Sequence, residues 1–184
     1  MIHIPQPPEG QFHPSAAGYV GATARWVEST GSPVQSLLEQ QPSQLQALFD
    51  GVDPSVSTFA YAPGKWTLSE SIVHMSDTER VFAYRLMRIA RGDSTPLPGF
   101  DQDEWVPESR SAQRSLDSVI GEFMAVRNAS LALVHSLDEV AVSRSGTASN
   151  HPVLAGALVW MIAGHAAHHL EIISERYLRT AARH

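Results

Sequence analysis

No cysteine occurs among the 184 residues, which excludes disulfides, thiolate metal ligation and cysteine nucleophiles. Cationic side chains are scarce as well: 13 Lys+Arg stand against 19 Asp+Glu, for a formal net charge of -6. Binding to nucleic acid or to an anionic membrane relies on clustered cations, so this balance argues against both as general partners. No apolar run reaches the roughly 18 residues of a membrane span, and the opening MIHIPQPPEG lacks the basic and apolar regions of a secretory signal. The expectation is a cytoplasmic protein. With 43% hydrophobic residues, the chain is long enough to bury one sizeable core, and 1–184 reads as a single domain.

What is present has a helical pattern. Residues 1–17 are rich in proline and polar side chains and read as an extended surface arm. Tyr19 and Trp26 mark a segment, 19–27, that packs on the core. Gly31-Ser32-Pro33 then sets up a helix carrying Val34, Leu37, Leu38, Leu45 and Leu48, which Pro42 kinks or splits. Thr67 with Glu70 three positions on is a capping-box signature, and the periodic run behind it continues to about Arg91, where Gly92 stops it. The stretch DSTPLPGFDQDEWVPESR, residues 93–110, holds three prolines and two aromatics and forms a long connection with packed side chains of its own. A third helix covers 111–137, with Leu116, Ile120, Phe123, Val126, Ser130 and Leu133 as its inner line. After the polar break SRSGTASN, Asn150 caps a fourth helix with Pro152 in its first turn, running to about Leu178. Four helices without a strand pattern longer than a few residues predict an all-α four-helix bundle, with a long ordered loop between its second and third helices.

The fourth helix contains GHAAHHLEIISERYL, residues 164–178. At about 100° per residue, Leu158, Met161, Ile162, His165, His169 and Ile172 share a face, so His165 and His169 stand one turn apart inside an apolar stripe. In the second helix His74 follows Ile72 and Val73. Asp77, Thr78, Val81, Arg85 and Arg88 fall within roughly 60° of it, on a polar line that points mostly inward. Burying two imidazoles side by side costs desolvation unless each nitrogen finds a partner. A third His from a neighbouring helix meets that need if all three bind one metal ion. Separate, hydrogen-bonded core histidines are the alternative, because an i,i+4 His pair alone is a weak motif. His3, His13, His135, His151 and His184 have no comparable setting and read as surface residues.

Three stretches in order, YAPGKWTLSESIVHMSDTERVFAYRLMRIARGD, LPGFDQDEW and IAGHAAHHLEIISERYL, resemble the DinB-like superfamily, in particular its YfiT-type branch of metal-dependent hydrolases. The resemblance spans about residues 19–178. It implies a four-helix bundle, often a homodimer, in which one divalent metal is held by a His of the second helix and two of the fourth. Matched position by position, the metal ligands are His74, His165 and His169, while His168 is the other member of the His-His doublet and is not counted as a ligand. The wider superfamily includes thiol-dependent S-transferases and a mycothiol-dependent isomerase. The resemblance therefore implies transfer involving a low-molecular-weight thiol as much as hydrolysis of a small-molecule substrate.

Three neutral imidazoles leave at least one coordination position open, the arrangement of a catalytic rather than a structural zinc site. A water there would have its pKa lowered toward about 7, and a substrate thiol could be deprotonated at the same position. No catalytic group beyond that metal-bound water is identified. Nitrogen ligation suits zinc, nickel, iron or copper, of which zinc or nickel is expected. Asp77 is a candidate for orienting a ligand or the water, although a plain surface acid is commoner at such a position. Glu79 lies about 140° from His74 and reads as structural. Arg85 and Arg88 are expected to pair with Asp101 and Asp103, with binding of a substrate anion as the second reading. Trp66 and Trp105 either line the pocket mouth or fill the core. Three functional classes stay open: a metal-dependent hydrolase or thiol S-transferase, a non-catalytic stress-response or ligand-binding bundle stabilised by metal, and a metal-free interaction module.

Overall fold

The computed structural model describes residues 2–181. Helix α1 (Ala17–Thr30) ends where Gly31 takes a left-handed φ of 64° and donates its N–H to Val27 O. The segment expected only to pack on the core is therefore helical. Helix α2 (Val34–Leu48) contains Pro42 without being split by it. Helix α3 (Leu68–Ala90) has the predicted capping box: Glu70 N donates to Thr67 Oγ1 at 3.3 Å, and Thr67 N donates to the Glu70 carboxylate at 2.7 Å. The connection after it carries a short helix of its own, α4 (Gln102–Glu108), whose first N–H groups donate to the Asp101 carboxylate. Helix α5 (Leu116–His135) starts at the Ser115 cap, five residues later than expected, and α6 (Glu139–Ser143) is capped by Asp138.

Two departures from the sequence expectation share one cause, which is that the break before the last helix is a β-hairpin. Strands β1 (Ser145–Ala148) and β2 (His151–Leu154) pair antiparallel, with Ser149 and Asn150 between them at φ of 50° and 63°. Two central residues with positive φ are the requirement of the tight hairpin turn, and Asn tolerates that conformation. Asn150 thus makes a turn and caps no helix, while Pro152 lies in β2 opposite Thr147. Helix α7 (Ala155–Ile172) begins four residues later than predicted, and the Ala155 N–H donates to Arg144 O at 2.9 Å. It runs on as a π-helical turn over Ile173–Leu178 and a last turn, Arg179–Ala181. The N-terminal arm is likewise no free surface strand. Ile4 and Phe12 are buried, Trp160 Nε1 donates to Ile4 O at 3.3 Å, and Gln35 Nε2 donates to Ile2 O at 2.9 Å.

Helices α2, α5, α3 and α7 pack as a closed ring in that spatial order, so α2 faces α3 across one diagonal and α5 faces α7 across the other. Helix α1 lies outside the ring against α7. The result is a four-helix bundle. Its interior is two apolar clusters. One gathers Leu38, Phe82, Leu86, Val134, Leu158 and Ile162, and the other Leu45, Ile72, Met75, Val119, Phe123 and Leu170. Between them each helix of the ring contributes buried polar groups: Gln41, Glu79, Arg127, His74 and His165. The buried line of α5 is accordingly Leu116, Val119, Phe123, Arg127, Ser130 and Val134. The expected line differed because a purely apolar pattern steps around Arg127. No described helix is long and apolar enough to cross a membrane.

Contact between α1 and α7 depends on Gly164. A Cβ at that position would lie 2.3 Å from Tyr19 O and 2.7 Å from Thr23 Oγ1. The nearer atom is backbone and cannot rotate away. Gly164→Ala is expected to destabilise the fold by about 1–3 kcal/mol through overpacking, read as a lower urea midpoint. An unchanged midpoint would contradict this close approach.

Candidate metal centre

His74 comes from the middle of α3, and His165 and His169 from consecutive turns of α7, the two helices that pack against each other in the ring. All three are buried, with one nitrogen from each lying within 4.8 Å of the others. His74 Nε2 and His165 Nε2 are 3.1 Å apart. Two nitrogens bound to one tetrahedral zinc at about 2.0–2.1 Å would be separated by about 3.3 Å, so the spacing fits a shared divalent ion.

The opposite edge of two of the rings is served by hydroxyls. Thr78 Oγ1 is 3.4 Å from His74 Nδ1, and Ser71 Oγ is 3.5 Å from His169 Nδ1. Both groups sit on the α3 surface, three and four residues from His74, where they fix ring orientation in the manner of the outer partners of metal-binding imidazoles. Ser71 was not picked out from the sequence, although its spacing of three from His74 was readable there.

Burial is the dominant electrostatic influence on the cluster. It pushes His74 down to about 4. Burial, then His74 and His168, push His169 down to about 3. His165 is held well below the ordinary imidazole range, first by burial and then by His169, His74, His168 and Arg127. Neutral imidazole is the form that binds metal. In metal-free protein the same shifts have a stability consequence. Between 6.5, where a solvated His titrates, and about 4, the unfolded chain takes up a proton that folded His74 refuses. Acidification below about pH 6.5 should therefore lower the urea midpoint of chelator-stripped protein, with the His74 part of the loss complete near pH 4 and the His169 part continuing toward about 3. A midpoint independent of pH across that window would contradict the buried, neutral cluster.

Other candidate residues are placed differently from expectation. The Asp77 carboxylate pairs with Arg80 at 2.9 Å and makes no hydrogen bond to His74, His165 or His169. His168 is exposed, with its ring 5.3 Å from Tyr19. Glu79 is structural, as expected, but its partner was not foreseen: Arg127 Nε and Nη2 donate to its two oxygens at 2.8 and 2.7 Å. Arg127 also donates to Leu38 O at 3.0 Å and to Gln41 Oε1. Arg88 pairs with Asp93 rather than with Asp101 or Asp103, and Arg85 donates to Pro98 O and Ser149 Oγ. The acids of the loop are instead used at the start of α4. Trp66 lies against His74, with ring centres 4.8 Å apart, whereas Trp105 is largely exposed and stacks near Phe100. His3 and His135 are exposed, His13 and His151 are half-buried against each other, and His184 lies outside the described residues.

Two cavities reach the cluster. One, of about 500 Å³, has His165 in its wall with Tyr19, Thr78 and Arg85. The other, of about 260 Å³, has His169 in its wall with Tyr61, Lys65 and Trp66. Asp103 borders both. Buried nitrogen donors with access from two sides suit a reactive centre better than a purely structural one.

Comparison with known proteins agrees with this architecture. YfiT from Bacillus subtilis, described as a probable metal-dependent hydrolase with an unusual four-helix bundle topology, superposes with a TM-score of 0.70 at 14% identity, over 96% of this chain and 92% of YfiT. A mycothiol-dependent maleylpyruvate isomerase superposes with a TM-score of 0.63 at 16% identity, over 77% of this chain and 61% of the isomerase. At such identities the likeness is one of fold. No curated protein matches by sequence. The DinB superfamily model, however, matches residues 37–173, a span that includes all of the ring but the first three residues of α2, with all three buried histidines, and the chain belongs to the DinB superfamily.

Proposed function

We propose that the protein holds one divalent metal ion through His74, His165 and His169 and acts as a metal-dependent enzyme on a small molecule. The observation that carries this reading is the convergence of three buried imidazoles, from two rigid helices, at the junction of two cavities. When bound, the metal supplies Lewis acidity at an open position, able to polarise a substrate group or favour deprotonation of a nucleophile. The protein's own part is to keep the three rings neutral by burial, to orient two of them through Thr78 and Ser71, and to shape the space around the open position. Nitrogen-only ligation suits zinc, nickel, iron or copper, and zinc or nickel is the ion expected here.

Transfer involving a low-molecular-weight thiol is the preferred reaction class, with hydrolysis second. Hydrolysis needs room for one organic reactant and a water, whereas the cluster is reached by two separate cavities, each large enough for part of an organic molecule. A homodimer in the cytoplasm completes the proposal. The test is a panel of electrophiles incubated with zinc- or nickel-loaded protein, with and without mycothiol, glutathione or cysteine, following loss of free thiol. Metal-dependent thiol consumption supports transfer. Turnover of esters or amides without thiol would move the reading to a hydrolase, and full metal loading with no turnover would move it to a non-catalytic bundle.

A further inference from the structure

The cavity beside His165 contains a charge that the fold itself does not neutralise. Arg85 on α3 is only 5% exposed and lines this cavity. Its Nη2 donates to Pro98 O at 2.7 Å and Ser149 Oγ at 3.0 Å, and the guanidinium lies 5.7 Å from the centre of the Phe100 ring. Among the described residues, no carboxylate comes within 4.0 Å of it. Arg127 is the contrast inside the same molecule, since it is fully buried and all three of its nitrogens meet acceptors, two of them on Glu79. A guanidinium presents five N–H donors in a planar fork. Arg85 commits Nη2 to the loop and the hairpin, while no protein acceptor among the described residues meets Nε or Nη1. A buried cation without a counter-charge is unfavourable unless a partner arrives from solution.

We infer that Arg85 anchors the carboxylate of a small organic acid whose reactive group lies against the three-imidazole centre, an inference that rests on the metal-site reading above. A carboxylate oxygen accepting from Nε or from Nη1 would supply the missing counter-charge through a single charge-assisted hydrogen bond, whereas a phosphate dianion would call for more positive charge than this wall holds. Arg85 is the only Lys or Arg in the cavity lining, and burial lowers the neighbouring His13. The acids Asp101 and Asp103 stand at the exposed rim, where Asp101 caps α4. Eleven residues separate His74 from Arg85, roughly 16 Å of helix, part of which the Arg85 side chain spans. The acid group and the reacting group of the substrate are therefore several bonds apart.

Isothermal titration of metal-loaded and chelator-stripped protein with acetate, succinate and benzoate, against their neutral amides and inorganic phosphate, tests the assignment. At least one carboxylate should bind wild-type protein in both forms, and about tenfold more weakly to Arg85→Gln, with Arg85→Lys between them and the amides not bound. Metal content of the variants should match wild type, because Arg85 makes no hydrogen bond to the imidazoles. Equal affinity in wild type and Arg85→Gln, no carboxylate binding at all, or tighter binding of phosphate would overturn the inference. Absence of metal from wild-type protein would refute the metal reading instead, while the ratio measured on stripped protein would still report on Arg85.

Discussion

Glu79→Ala is expected to cost about 3–5 kcal/mol of stability, because it strands a fully buried guanidinium without its counter-charge. That is a large part of the 5–15 kcal/mol typical of a domain, so the variant should be partly unfolded or recovered only at low temperature. The effect arises from geometry. Arg127 joins α5 to α3 through Glu79 and to α2 through Leu38 O and Gln41, and Gln41 Nε2 donates to Ala163 O of α7 at 2.7 Å. One network thus ties all four helices of the ring between two apolar clusters. Replacing both charges together, as in Glu79→Leu with Arg127→Met, should recover much of the loss, since the penalty comes from the unpaired charge rather than from absence of the pair. Urea unfolding of the three proteins decides it. A loss below about 1 kcal/mol for Glu79→Ala would mean that the pair behaves like a surface ion pair.

His74→Ala, His165→Ala and His169→Ala are each expected to abolish metal retention through gel filtration in the presence of a chelator. Two imidazoles cannot replace a converging set of three, and no other His, Asp or Glu among the described residues joins the cluster. Stabilisation by metal should vanish with it. For wild-type protein, metal at a hundredfold excess over its dissociation constant adds about 2.7 kcal/mol, visible as a higher melting temperature that a chelator reverses. His168→Ala serves as the control, because its ring is exposed and outside the cluster, and it should keep both the metal and the thermal shift. Removing the hydroxyls should have smaller effects. Ser71→Ala and Thr78→Val are expected to weaken metal binding by roughly 10–100-fold without eliminating it, which a competition titration with a chromophoric chelator would read.

The parts that could be read in the sequence were those carried by local spacing. Thr67 with Glu70 announces the start of α3, Gly31 and Gly92 follow the ends of their helices, and His165 with His169 stand inside an unbroken apolar run. His74 was placed opposite them by its own apolar neighbours. The parts that could not be read depend on partners distant in the chain. Glu79 and Arg127 are 48 residues apart, and each in isolation resembles an ordinary exposed helix charge. The hairpin escaped because its strands are four residues each, with small and polar side chains in β1, and because Asn150 and Pro152 imitate a helix start. Arg85 and Arg88 were matched to the wrong acids for a similar reason. Sequence placed Asp101 and Asp103 near them, but only the fold shows that α4 takes up Asp101 and that Asp93 lies closer to Arg88.

Elemental analysis of untagged protein, purified without added metal beside the His165→Ala/His169→Ala double variant, tests the central claim most directly. The account predicts about one zinc or nickel per wild-type chain and none in the double variant, with both proteins helical and monodisperse. Metal-free wild-type protein that takes up neither ion on reconstitution, or a double variant that retains the wild-type metal content, would contradict it.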